Sequence, residues 1–81
     1  NVMKWTCEIA ENEKLSLQAH DFVEKIKVLE GEFIDYVTDK VYHKGETAVF
    51  DVEQEHQPGS DIGTKLIVTM HRNIINVTPQ G

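Results

Sequence analysis

The chain has 81 residues, with 14 acidic against 8 basic side chains and a formal net charge of -6. That length allows one domain with a single two-layer core, and that charge disfavours binding to phosphate backbones or anionic lipid surfaces. One cysteine rules out an internal disulfide, and no apolar run is long enough for a membrane-spanning helix.

Residues 2–10 alternate. Met3, Trp5, Cys7 and Ile9 face one way, and Lys4, Thr6 and Glu8 the other, which is the pattern of a half-buried strand. Cys7 is expected to point inward as a small apolar residue, because no basic cluster stands near it to favour a thiolate. Glu11-Asn12-Glu13-Lys14 is a polar turn. Leu15 and Leu17 form a short strand or lead into the next element.

The stretch from Asp21 to His43 is expected to be a helix. Advancing about 100° per residue gathers Phe22, Val23, Ile26, Leu29, Phe33, Ile34, Tyr36, Val37 and Val41 on one arc. A period of two over the same window leaves neither face clean. Asp21 and Glu24 have capping-box spacing, Lys40, His43 and Lys44 suit a helix C-terminus, and Gly45 supplies a stop. Many β-branched residues and Gly31 argue the other way. They define an alternative of two hairpins, turning at Glu30-Gly31 and near Asp39-Lys40.

After Gly45, Thr47 to Glu53 is a strand with Ala48, Phe50 and Val52 on one face. Gln54 to Gly63 contains Pro58-Gly59-Ser60 and is expected to be an exposed loop. Lys65 to Met70 is a strand with Leu66, Val68 and Met70 on one face and Ile67 and Thr69 on the other. His71-Arg72-Asn73 is a turn, Ile74 to Val77 a last strand, and Thr78 to Gly81 a frayed end. Asn76-Val77-Thr78 matches a glycosylation acceptor. The start at Asn1 rather than methionine suggests a processed product or an excised module, and neither the compartment nor the oligomeric state can be read.

These parts predict one α+β domain over residues 1–81: a long helix packed on an antiparallel sheet of about four strands, in the order β-α-β-β-β. That order resembles cystatin-like architecture. No cystatin inhibitory loop motif accompanies it, so the resemblance implies a fold and no activity.

The four histidines, His20, His43, His56 and His71, form no His-Glu-x-x-His pattern, and His20 and His43 fall at opposite ends of the expected helix. Asp51, Glu53, Glu55, His56 and Asp61 make one local cluster that would suit a divalent cation. Its spacing matches no calcium loop, and an acidic strand end running into solvent explains it equally well. Ser16, Ser60 and Cys7 carry no nucleophile signature, and Gly59-Ser60-Asp61-Ile62-Gly63 lacks the lysine of a phosphate loop. The sequence therefore assigns no catalytic residue, no metal ligand and no cofactor, and it predicts no enzyme.

Two surfaces remain. Asp21, Glu24, Glu32, Asp35 and Asp39 would share one helix face, an array able to imitate a row of phosphates. Val49, Ile67 and Ile75 would lie on the sheet face away from the helix and form a patch for a protein partner, including a second copy of the chain. The leading expectation is a small non-catalytic domain that binds a protein through Val49, Ile67, Ile75, Glu32, Asp35 and Asp39, inhibitory or part of a larger chain. The alternatives are a metal-ion or small-molecule binder through the 51–61 segment, and an acidic nucleic-acid mimic using the helix face. No nucleic acid and no membrane are expected as partners.

Overall fold

In the computed structural model, which describes residues 2–72, the stretch expected to be a helix holds the longest strand. Seven strands follow in chain order: β1 Val2–Ile9, β2 Glu13–Lys14, β3 Val23–Asp35, β4 Lys40–His43, β5 Thr47–Phe50, β6 Pro58–Ser60 and β7 Thr64–His71. Every pairing is antiparallel, and the described residues contain no helix. The α+β, cystatin-like expectation is thereby overturned. The expected last strand, with Ile75 and the Asn76-Val77-Thr78 triplet, lies outside the described residues.

The periodicity of β3 explains the misreading. From Glu24 to Val28 the even residues Glu24, Ile26 and Val28 are buried, while Lys25 and Lys27 are exposed, as a period of two requires. A register shift against β7 then falls between Val28 and Glu30. Such a bulge inserts an extra residue and moves the inward phase by one position. Past it, Phe33, Ile34 and Asp35 are all buried. A strand that changes phase midway spoils a single alternation test and spreads its apolar residues over something like a helical arc. The β-branched residues that weakened the helix are the ones that favour a strand.

Gly31 permits the bulge. Its φ is 75°, and a Cβ there would collide with the Gly63 carbonyl oxygen. The chain passes straight through Glu30-Gly31 rather than turning. It turns instead after β3, where Asp39 takes a left-handed φ of 60°. The hairpin alternative was right about that second turn alone.

β3 is shared by two parts of a curled sheet. Its first half pairs with β7 and β5, and its second half with β4 and β6; β1 then adds to β7 and β2 to β6. Curling brings the inward faces together around Phe33, Leu66, Val28, Ile26, Val68 and Phe50. Burying side chains of this size stabilises by about 1.5–3 kcal/mol each. Cys7, Leu15 and Tyr42 pack at the margin of this core.

The expected acidic helix face does not exist. Asp21 is exposed and its Oδ1 accepts from Arg72 Nη2 at 3.0 Å. Glu24 is buried inside the barrel, and Glu32 is half-buried with its carboxylate 3.1 Å from His43. Asp39 sits in the turn. Asp35 is buried, where its carboxylate accepts from the Val37 and Gln57 backbone N–H groups and from the Thr38 hydroxyl at 3.0–3.1 Å. It is a structural tie between the β3–β4 turn and the segment before β6. With no helix, these residues cannot act together as a phosphate mimic.

The expected loop 54–63 is corrected as well. Pro58, Gly59 and Ser60 are buried and form β6, between β3 and β2.

Candidate metal centre

Three side chains from three parts of the chain meet at one end of the barrel: His20, Glu24 and His56. One donor atom from each lies within 4.8 Å of the other two. Glu24 comes from the first half of β3, on the inward face, with Phe50 of β5 on one side and Met70 of β7 on the other. His20 lies in the segment leading into β3. Its carbonyl accepts the Glu53 N–H at 2.6 Å, and its ring stacks on Phe22 at 4.7 Å. The Arg72 guanidinium lies 5.9 Å from the Phe22 ring centre on its way to Asp21. His56 is placed by a two-way backbone bridge with Gln18, at 2.8 and 2.9 Å, and by stacking on Phe50 at 4.3 Å.

The protonation pattern is informative. Nδ1 of His56 lies 3.3 Å from the Gln54 carbonyl oxygen. A carbonyl only accepts, so Nδ1 carries the hydrogen, and in the neutral ring Nε2 bears the lone pair. That lone pair faces Glu24 Oε1 at 3.1 Å. Neither atom has another hydrogen-bond partner. Both are buried: His56 is 1% exposed and Glu24 8%. Two buried acceptors facing each other cost free energy unless something positive lies between them, either a proton or a metal cation. The proton tendency is visible. Burial pushes the proton off His56, but the Glu24 carboxylate, the Gln54 carbonyl and the negative charge of Asp35 outweigh it and hold the ring above its ordinary value.

The donor set fits a cation. A transition metal sits about 2.0–2.2 Å from nitrogen and carboxylate donors, which puts the donors roughly 3–4 Å apart. Glu24 Oε1 lies 3.1 Å from His56 Nε2 and 4.0 Å from His20 Nε2. Two imidazole nitrogens and one carboxylate suit Mn²⁺, Fe²⁺, Co²⁺, Ni²⁺ or Zn²⁺ and leave coordination positions open. The Nδ1–H contact of His56 is the outer contact that fixes a ligating imidazole.

Beside Glu24 lies a cavity of about 260 Å³. Trp5, Leu15, Phe33, Leu66 and Val68 are among its apolar lining, and Glu8, Gln18 and Glu24 are its polar side chains; neither His20 nor His56 lines it. Cys7 is half-buried there, and burial together with the Glu24 charge pushes its thiol up.

The residues expected to carry function are scattered. Of the 51–61 cluster, only His56 turns inward; Asp51, Glu53, Glu55 and Asp61 are exposed and share no site with it. Val49 is exposed on β5 and Ile67 partly buried on β7, with Lys25 and Lys27 of β3 standing between them. Lys4 adds to those lysines, so this outer face is a basic groove on an acidic chain. His20 and Glu24 escaped notice as ligands because four residues apart in extended chain is no recognisable spacing. His56 is distant in sequence, and only barrel closure joins it to them.

Comparison with known proteins agrees with this fold. No family model matches the sequence, and no curated protein matches it. Among solved structures, an RmlC-like cupin from Shewanella frigidimarina is similar at a TM-score of 0.79 and 20% identity, over 95% of this chain and 71% of that one. A protein described as a predicted oxalate decarboxylase from Thermotoga maritima has a TM-score of 0.76 at 16% identity, over 88% and 66% of the two chains. A chain of the complex of Rhodobacter sphaeroides SigE with the anti-sigma ChrR has a TM-score of 0.73 at 22% identity, over 86% and 39%. The architecture is that of cupin and RmlC-like β barrels. At these identities the likeness defines the fold alone.

Proposed function

We propose that this chain is a cupin-like domain that binds one divalent transition-metal cation through His20, Glu24 and His56. The observation that carries the reading is the pair of buried, unpartnered acceptors, Glu24 Oε1 and His56 Nε2, facing each other at 3.1 Å. The cation supplies a Lewis-acidic centre with open positions. The protein supplies the ligands and their orientation. The proposed role is binding: among the described residues, the ionisable side chains that line the cavity beside the triad are Glu24 itself, Cys7 and Glu8.

Equilibrium dialysis against Mn²⁺, Co²⁺, Ni²⁺ and Zn²⁺ tests this. One equivalent is expected to bind. Saturation at a hundred times the dissociation constant would add about 2.7 kcal/mol of stability, read as a rise in melting temperature. Glu24→Gln and His56→Gln, which keep a polar side chain, would each weaken binding by more than roughly tenfold. Stoichiometric binding that survives both substitutions, or no uptake of any of the four ions, would contradict the reading.

A second reading has its own observation. β1 pairs with β7 along its whole length, and its other edge has no strand beside it among the described residues. Val2, Met3 and Trp5 on it are 61%, 57% and 42% exposed. An exposed apolar edge strand can pair with another chain. A protein partner added at β1, including a second copy, is therefore compatible with a cation site inside the barrel. Trp5→Lys would then abolish association in sedimentation without altering metal uptake. Equal association of both proteins would dismiss this edge.

A further inference from the structure

Taking the β1 edge as an association surface, independently of the cation site, we propose that its occupant is a second copy of this chain, added antiparallel about a two-fold axis through Thr6. β1 pairs with β7 over all 8 of its residues with no shift in register, so among the described residues its other edge is long and unbroken. An edge of that kind accepts another strand. The side chains decide which strand.

In an antiparallel pair, residues directly opposite each other share a face. Two copies of β1 related by an axis through Thr6 set Lys4 opposite Glu8 and Glu8 opposite Lys4. On the other face they set Trp5 opposite Cys7 and Met3 opposite Ile9. Other centres fail. An axis through Lys4 or through Glu8 puts like charges face to face, which is destabilising. An axis through Trp5 sets Glu8 opposite Val2, and one through Cys7 sets Glu8 opposite Thr6 and Lys4 opposite Ala10. An axis between two residues crosses the faces; the one between Trp5 and Thr6 sets Met3 opposite Glu8.

The sheet already alternates in sign up to this edge. Glu30 of β3 faces Lys65 of β7, and Lys65 faces Glu8 of β1. Lys4 of a second copy continues the row. Lys4 itself has no acid across its own sheet: Thr69 of β7 stands opposite it, and Lys25 of β3 beyond. A lysine on an edge strand usually discourages pairing. Here it selects one register, because its complement lies on the same face of the same strand. The apolar face gains as well. Met3 and Trp5, 57% and 42% exposed, are covered in the pair by Ile9 and Cys7 of the other copy.

Sedimentation of the full chain over a range of concentrations is expected to give a monomer–dimer equilibrium. Lys4→Glu alone and Glu8→Lys alone each turn both charge pairs into like pairs, and each should raise the dimer dissociation constant roughly tenfold or more. An equimolar mixture of these two variants restores both pairs between unlike chains, and should associate about as tightly as the unsubstituted protein. Thr6→Cys in a Cys7→Ser background reads the position of the axis. Its two thiols stand directly opposite, with Cβ atoms about 4.5–5.5 Å apart, and diamide should link them into a covalent dimer. Lys4→Cys in the same background sets its thiols about 14 Å apart along the strands, and should not link.

A chain that stays monomeric, as it would if any other segment covered the β1 edge, overturns the proposal. Association that Trp5→Lys abolishes but that ignores both charge reversals keeps the edge and overturns the two-fold through Thr6. A disulfide at Lys4→Cys in place of Thr6→Cys does the same.

Discussion

The imidazole of His56 answers to opposed demands. It is buried, which favours the neutral ring, yet its Nε2 faces a carboxylate, which favours the charged one, and the second influence prevails. A histidine held above its ordinary value near 6.5 contributes stability that is fully present below that value and is lost as pH rises through the folded value. The metal-free protein should therefore lose melting temperature as pH rises above about 6.5, and His56→Gln should flatten that slope. The cation reverses the sign, because it takes the place of the proton and binds more tightly as pH rises. A metal-free melting temperature that ignores pH over this range, or rises with it, would mean that Nε2 does not share a proton with Glu24. Glu24 carries the same lesson for sequence reading. It has the spacing of a helix cap three residues after Asp21, and it is in fact an inward-facing strand residue. Side-chain type and spacing could not distinguish these roles, because the local backbone decides which way the carboxylate points.

At the scale of elements, β3 governs the architecture. The strands expected over residues 2–10 and 65–70 overlap β1 and β7, and the one expected over 47–53 is met only as far as Phe50, where β5 ends and leaves Val52 exposed. β3 was not legible because the bulge after Val28 joins two strand phases into one sequence window. β6 was hidden for a different reason: Pro58-Gly59-Ser60 has turn composition, and it is buried only because β3 and β2 flank it. The bulge depends on Gly31, where both the φ of 75° and the Gly63 carbonyl oppose a side chain. Gly45 has a φ of 90° but open space around the missing Cβ. Gly45→Ala is expected to cost about 1 kcal/mol in urea denaturation, the conformational penalty alone. Gly31→Ala adds a backbone clash and should exceed that by at least about 2 kcal/mol. Equal losses at the two positions would show that the close approach of β3 to Gly63 is not needed.

For the molecule as a whole, barrel closure creates chemistry that no segment holds. His20 precedes β3, Glu24 lies in its first half, and His56 follows β5. Folding sets Phe22 and Phe50 under the two rings and turns all three donors toward one point. The remaining acidic residues that attracted notice, Asp51, Glu53, Glu55 and Asp61, are solvated at the surface. The sequence grouped His56 with Asp51, Glu53, Glu55 and Asp61, whereas the side chains that meet it in the structure, His20 and Glu24, are near it only in three dimensions. Charge is also redistributed. An acidic chain gathers Lys4, Lys25 and Lys27 on the outer face of β1 and β3, and the net charge of -6 conceals that groove.

The most direct test of the cation site uses the histidines themselves. His43 is exposed and pairs with Glu32 in the second half of β3, away from the proposed ligands, and it serves as the internal control. Proton NMR of the imidazole rings during substoichiometric addition of paramagnetic Mn²⁺ should broaden the His20 and His56 signals together and leave His43 sharp. Broadening that begins at His43, or spreads evenly over all the histidines, would contradict a cation held by His20, Glu24 and His56.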